Sequence, residues 1–493
     1  MRYFLFGFCW AVSFASFGQQ EASPDGFAYL TGDQIACDLD SLSAWILKLH
    51  PAPFAQCAPE EWTASLDKNK RLARGGGNVF TAAKAYSDLM SLLKDSHTGI
   101  ALQSFANTLA SSNGQIPIEI ATVENKTVVV QDWSKELDRG AVVSSIGGIS
   151  SRSLLGMSLS IVSQEGDALV SRVRMADKLW DDLAPFALGA SVGDSLSLIL
   201  GVNDSLPSKT SVVAKAYLDS IKLAADKRDV SWERLPKHPN IIHLTIRSFH
   251  PEQERKFKRE LKHCFQAIYR AEKKSENAIT GIVLDLRQNS GGHIALMGEV
   301  LPYLASEATR IPYGAQIKHS DIARDQLSHP WIGGSVFSFG YDRNFMRLNK
   351  AIRDKNQHSM SFVPFENPIT PKKRLNYAGP VVMVLDGLSA SASVSFAAWF
   401  VRSGRGKTIG EPPMGGISGT FGNPVRLTLP SSKLQFNVAT ARYYTEEPIR
   451  WQTKPLLPDF PIAMTIEDHQ LHRDPFLEKA VEWLHHAEQI PFD

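Results

Sequence analysis

Leu39, Leu42, Ile46 and Leu49 recur at helical spacing, and the pattern stops at His50-Pro51-Ala52-Pro53, which predicts an amphipathic helix over residues 33–49. A second helix follows Gly75-Gly76-Gly77-Asn78, with Tyr86, Leu89, Met90 and Leu93 as its apolar stripe, and ends at Asp95-Ser96-His97-Thr98-Gly99. Residues 26–108 therefore read as a helical cap whose last turn delivers His97. From residue 115 the texture changes to short strands, at 116–123, 127–131 and 141–149, the last turning through Gly147-Gly148. A further strand at 195–202 and a polar stretch at 203–210 close a compact, strand-rich module over 113–218. Beyond it the rhythm is α/β: a strand at 241–246, a charged amphipathic helix at 252–274, and a buried strand at 279–286 that runs into Arg287-Gln288-Asn289-Ser290-Gly291-Gly292. A helix at 294–304 precedes a weakly patterned stretch, 305–375, read as an irregular insertion. Then the apolar strand Val381–Leu385 enters Ser389-Ala390-Ser391-Ala392-Ser393 and a helix. Two strands that each end in a small, polar turn before a helix are how a parallel sheet presents loops at its carboxyl edge.

Composition narrows the function classes. The 493 residues carry a net charge of +2 with 21% charged side chains, an ordinary surface with no basic excess to favour nucleic acid. Met1-Arg2 precedes an apolar run to Gly18 and then polar residues, the pattern of a secretory signal peptide over 1–18. Export follows as the expectation, to the periplasm or the medium. Without Cys9 three cysteines remain, so at least one is unpaired within the chain. Cys37 and Cys57 can pair in an oxidising compartment, and Cys264 falls on the apolar face of the 252–274 helix. None has metal-ligand spacing, and no cofactor motif is present.

The serines at 389–393 sit where the free N–H groups of a helix start converge, which suits either helix capping or an oxyanion-stabilising nucleophile turn. The Gly291-Gly292 turn is either a tight β-to-α turn or a place where a backbone N–H approaches a ligand without a Cβ in the way; it is no phosphate loop. His97, with small polar neighbours and Gly99 after it, is either a surface residue at a helix end or a side chain aimed into a cleft.

The run Ile282-Val283-Leu284-Asp285-Leu286-Arg287-Gln288-Asn289-Ser290-Gly291-Gly292, with Ser389-Ala390-Ser391-Ala392-Ser393 and Gly410-Glu411-Pro412, resembles the C-terminal processing (tail-specific) serine proteases and the related tricorn core protease. The cap ending in Asp95-Ser96-His97-Thr98 and the Leu457-Pro458-Asp459 strand extend the resemblance over most of the chain. It implies an α/β core of the crotonase and Clp-protease kind over 219–493, with an N-terminal helical cap and a PDZ-like module at 113–218. It places the nucleophile on Ser391 and the oxyanion donors on the N–H groups of Gly291 or Gly292 and of Ala392. The processing proteases use a lysine base in a Gly-Lys-Gly, but here that position is Gly416, and Lys407 lies too early to replace it. The tricorn-like branch instead implies His97 as base, following Ser96, with an orienting glutamate before the Pro-Asp strand. That glutamate is Glu447, with Glu446 as the alternative.

The expectation is thus an exported serine peptidase acting on peptides or unfolded protein ends. Two rivals stand beside it: a catalytically inactive ligand- or peptide-binding protein of the same fold, and a hydrolase of small esters or amides.

Overall fold

The computed structural model describes residues 29–202, 205–214, 228–273, 278–310, 313–327, 343–354, 359–366, 368–446 and 454–487. The expected leader at 1–18 lies outside them. No helix among the described residues is long and apolar enough to cross a membrane.

At the centre lies a six-stranded sheet in the order Phe460–Pro461, Lys407–Gly410, Val381–Leu385, Gly281–Asp285, His238–Ile246 and Val230–Leu235. Its first five strands run parallel, and Val230–Leu235 joins as an antiparallel hairpin partner of His238–Ile246. The continuous apolar runs of Gly281–Asp285 and Val381–Leu385 are buried at every position, as strands covered on both faces must be. One face packs against the helices Glu254–Glu272, Ile294–Val300 and Ala392–Arg402, with Phe257, Leu261, Cys264 and Phe396 in the core. The other face is covered by the C-terminal helix Pro475–Ala487 through Phe476, Ala480 and Leu484. Cys264 is thus a core residue, and Cys37 and Cys57 are also unpaired.

The N-terminal helices Gly32–Leu49, Pro59–Leu72 and Val79–Met90 pack their apolar stripes on a second sheet, formed around the hairpin of Gly419–Thr428 and Gln435–Tyr444. The short strand Gly99–Ile100 joins this sheet by pairing with Gln435–Tyr444. The stretch 305–375, expected to be irregular, supplies two of its strands, Gly314–Lys318 and Met360–Pro364, and two helices, Asp321–Leu327 and Arg343–Arg353. Its strands are short, Met360–Pro364 pairs with Gly314–Lys318 some forty residues away, and Gly314–Lys318 pairs with the still more distant Gln435–Tyr444, so local periodicity carried little trace of them. The third sheet, six strands within residues 118–213, runs Ile118–Val123, Lys126–Asp132, Val142–Ile146, Ser195–Val202 and Ser205–Val213, with Ile149–Ser150 beside Val142–Ile146. Neighbouring strands in it are antiparallel. The stretch expected to be a polar segment at 203–210 is, in its described part, largely strand.

A buried carboxylate pins the helical region to the hairpin. Asp38, fully buried, accepts from the Tyr86 hydroxyl at 2.9 Å and from the backbone N–H groups of Ser431 and Ser432, each at 2.8 Å. Asp38→Ala leaves the buried Tyr86 hydroxyl and the half-buried N–H groups of Ser431 and Ser432 without this acceptor, so it should destabilise the protein by about 3 kcal/mol. A lowered urea midpoint at unchanged m-value checks this, and an unchanged midpoint refutes it.

Candidate active site

The two central strands end side by side, in register from Ile282 against Val381 to Asp285 against Val384, and their outgoing turns therefore abut. Asn289 ties them together. Its side-chain amide donates to the Ile246 carbonyl at 3.0 Å and accepts from Gly291 N–H at 2.9 Å. Its backbone carbonyl accepts from Ala390 N–H at 3.0 Å and from the Ser393 hydroxyl at 2.9 Å. Ser389 is likewise committed, donating to the Leu286 carbonyl at 2.9 Å. Both flanking serines are fully buried.

Ser391 differs from them. It stands at the N-cap of the helix Ala392–Arg402 but makes no capping bond, and its φ of 54° with ψ of −117° is a conformation that side chains other than glycine rarely adopt. Such a backbone costs on the order of 1–3 kcal/mol and is characteristic of functional turns. The strained turn leaves Ser391 partly exposed, lining a cavity of about 490 Å³ that is also lined by His97, Gly292 and Ala392. Gly291 packs so closely that an added Cβ would lie 2.6 Å from Ser391 Cβ, and its positive φ of 98° independently excludes larger residues. The Gly291 N–H is spent on Asn289. The N–H groups of Gly292 and Ala392 meet no acceptor among the described residues, which favours Gly292 over Gly291 as the first of two donors aimed at the cavity.

His97 lies in the turn before Gly99–Ile100. That turn is held by Thr98, whose hydroxyl donates to Asp95 and accepts from Ala439 N–H at 3.0 Å. His97 Nδ1 is 3.6 Å from Asp95 Oδ1 and 3.9 Å from Glu165 Oε2, with the Ser96 hydroxyl 3.5 Å away. Glu165 accepts from Ser96 N–H at 2.9 Å and from the Ser96 hydroxyl at 2.7 Å. Asp95 accepts from His97 N–H at 2.8 Å and from His50 Nε2 at 3.1 Å; His50 Nδ1 in turn accepts from Ala52 N–H at 3.2 Å, so its proton sits on Nε2. Burial alone would lower the His97 pKa, but the two carboxylates outweigh it and push the imidazole up to about 10. Burial would likewise raise the pKa of Asp95, and the hydrogen bonds and charges of His50 and His97 instead hold it well below the carboxylate range. The donor atoms of Asp95, His97 and Glu165 lie within 4.8 Å of one another, the grouping found among the described residues that could hold a metal ion. The hydrogen bonds these carboxylates accept come from His50, Thr98, Ser96 and the His97 backbone N–H, and both face the imidazole.

The remaining expected site residues fall elsewhere. Glu446 pairs with Arg402 at 3.0 Å and accepts from the Ser418 hydroxyl, and it does not line the cavity, so its carboxylate is already engaged away from His97. Glu447 lies outside the described residues. Gly416 is buried, no lysine among the described residues lines the cavity, and Lys407 pairs with Asp459 at 3.0 Å at the sheet edge. The carboxylates that do approach His97 were not singled out from sequence. Asp95 stood two positions before it in the quoted motif, whereas Glu165 is 69 residues from Ser96 and comes from the loop between the helices Ser151–Leu159 and Leu169–Asp177.

With this geometry in view, residues 240–462 match the model of peptidase family S41. The matched segment contains Ser391 and both glycines but neither His97 nor Glu165. No curated protein matched the chain. Among solved structures, mature CPAF aligns with TM-score 0.61 and 11% identity, covering 93% of this chain and 97% of its own. CPAF complexed with lactacystin aligns with TM-score 0.62 and 12% identity, covering 93% and 98%. The photosystem II D1 C-terminal processing protease aligns over 89% and 94% at 14% identity, with a TM-score of 0.40 too low to bear on the site. The CPAF likeness establishes a shared fold over nearly the whole chain. The family domain, together with this fold, supports a serine-type peptidase.

The carboxylate assignment is open to a direct test. A base must be neutral to accept a proton, so with His97 as the base the acidic limb of kcat/KM would report its free-enzyme ionisation. Removing one of two carboxylates lowers a raised imidazole pKa, so Glu165→Gln should move that limb to lower pH by about one unit or more. Glu447→Gln should leave it in place. A limb that moves in the second variant and not in the first would return the role to Glu447.

Proposed function

We propose that the protein is an exported serine peptidase that hydrolyses peptides or unfolded protein ends through an acyl-enzyme on Ser391. The observation that carries the reading is the strained turn at Ser391, which sets its hydroxyl in one cavity with His97 and with the unengaged N–H groups of Gly292 and Ala392. In the proposed reaction the neutral His97 imidazole takes the proton from Ser391 Oγ as it attacks the scissile carbonyl. The carbonyl oxygen, now negative, is received by the N–H groups of Gly292 and Ala392. His97 then gives its proton to the leaving amine, and a water repeats the sequence to free the acid product.

Asp95 and Glu165 stabilise the imidazolium formed midway, and Glu165 acts through Ser96 as well as directly. The raised pKa of His97 implies that the unliganded site rests with this histidine protonated at neutral pH, and that activity rises toward alkaline pH. An extended peptide has room in the cleft, where Leu327, Phe345, Leu348 and Ile352 offer an apolar wall to its side chains. Export rests on the sequence pattern of residues 1–18. The PDZ-like reading of 113–218 and peptide capture by it rest on the family resemblance, with the antiparallel sheet and its helices as support.

Ser391→Ala should abolish hydrolysis of an unfolded protein such as reduced casein, and His97→Ala should lower it by a factor of 10³ or more at pH 8. Release of new amino termini is the measurement. Turnover that survives in Ser391→Ala excludes the acyl-enzyme.

A further inference from the structure

His97 Nδ1 faces two carboxylate oxygens without bonding closely to either. Asp95 Oδ1 is 3.6 Å away and Glu165 Oε2 3.9 Å, both longer than an ordinary hydrogen bond. Those gaps are close to the separation between two ligands of one tetrahedral ion, about 3.3–3.6 Å for bonds of about 2.0–2.2 Å. Ligand atoms of all three residues lie within 4.8 Å of one another, so an inward shift of the side chains brings them to one centre.

The carboxylates have capacity for an ion. Asp95 Oδ1 accepts one hydrogen bond from the described residues, from His97 N–H at 2.8 Å, and Glu165 Oε1 accepts one, from the Thr420 hydroxyl at 3.3 Å. Each oxygen therefore keeps a lone pair. The other two oxygens are held from outside, Asp95 Oδ2 by His50 Nε2 and Glu165 Oε2 by Ser96, the kind of support that orients the ligands of a metal. Asp95 and Glu165 are buried, and His97 lines the cavity that Ser391 also lines, which gives an ion its way in.

One imidazole nitrogen and two carboxylate oxygens, completed by water, suit Zn2+, whereas Mg2+ and Ca2+ favour oxygen alone. An ion on Nδ1 sends the proton of that nitrogen to solvent and leaves a neutral ring whose single N–H is at Nε2. In the proposed reaction Nε2 is the nitrogen left to take the Ser391 proton, since Nδ1 faces the carboxylates. With a proton already on it, it has no lone pair to do so.

We propose that Asp95, His97 and Glu165 form a site for Zn2+ that switches the peptidase off by occupying its base. The binding stands on the geometry, and the inhibition rests on the peptidase reading above.

Binding is measured first, without turnover, by calorimetric titration of full-length Ser391→Ala protein with ZnCl2 or MgCl2. One equivalent of Zn2+ should bind at least about tenfold more tightly than Mg2+. Adding Glu165→Gln or His97→Gln should weaken it about tenfold or more. Adding His238→Gln should not, although His238 Nδ1 and His485 Nε2, 3.2 Å apart on the surface, are a rival site with two imidazoles. Zinc K-edge absorption on the Ser391→Ala protein reads the ligands with no further substitution, so a variant that fails to fold leaves the site testable. One imidazole among oxygen ligands is expected. Two imidazoles or none overturn the site, as does Zn2+ binding unchanged by both Glu165→Gln and His97→Gln. In the unsubstituted protein, casein hydrolysis should fall about tenfold or more in saturating Zn2+ and return on adding EDTA. Hydrolysis that is unchanged or faster with the site filled overturns the inhibition. Protein that binds Zn2+ but never hydrolyses casein contradicts the peptidase reading, and the inhibition with it, and leaves the site to the binding data.

Discussion

Asn289 has no exposed surface, yet all its polar groups are in use, and the geometry of the cleft depends on how they are used. Its amide reaches the end of the strand His238–Ile246, its side-chain oxygen fixes Gly291, and its carbonyl receives both Ala390 N–H and the Ser393 hydroxyl. One buried residue thereby holds three adjacent strand ends in fixed relation. The consequence appears at Ser391, whose positive φ lies between Ala390 and Ser393, both tied to the Asn289 carbonyl. A backbone strained in this way persists only where the surroundings overdetermine it, and here the surroundings are the Asn289 network and the close approach of Gly291.

The second half of the cleft is organised by charge. His97 arrives from the N-terminal region on a turn tied to the second sheet through Thr98 and Ala439. It meets Asp95 from its own turn and Glu165 from the loop between the helices Ser151–Leu159 and Leu169–Asp177, and Glu165 also receives Ser96 and the Thr420 hydroxyl, the latter at 3.3 Å. A second contact from this stretch lies nearby. Arg174 makes a two-pronged ion pair with Glu411, and Glu411 accepts from Gly387 N–H at 3.1 Å in the loop that leads to Ser391. Glu165 and Arg174, from one stretch of chain, therefore reach both the histidine turn and the serine loop, so the cleft is built from three parts of the chain.

How much of this could be read from sequence followed the range of each interaction. The parallel strands, the charged helix over Glu254–Glu272 and the helices Gly32–Leu49 and Val79–Met90 were legible because their apolar periodicity is local and unbroken. The strands Gly314–Lys318 and Met360–Pro364 were not, since their pairing is with each other and with Gln435–Tyr444. At the site, Ser391 could be singled out among its neighbours only through a family resemblance, because nothing local distinguishes it from Ser389 and Ser393. In the fold the distinction is physical: the flanking hydroxyls are buried and bonded, and Ser391 is neither capping nor buried. Glu165 had no sequence signal at all, since its place beside Ser96 depends on how the inserted module docks. A search for a glutamate before the Pro-Asp strand leads instead to Glu447, outside the described residues, with the alternative Glu446, which Arg402 already holds.

The central claim is that the fold makes one serine of the three unlike the others, and covalent mapping tests it most directly. The protein is treated with a fluorophosphonate at pH 8, its intact mass is measured, and the modified peptide is sequenced by mass spectrometry. A single adduct on Ser391, with labelling slowed in His97→Ala, is the predicted result. An adduct on Ser389 or Ser393, or none on protein that hydrolyses casein, would contradict the account.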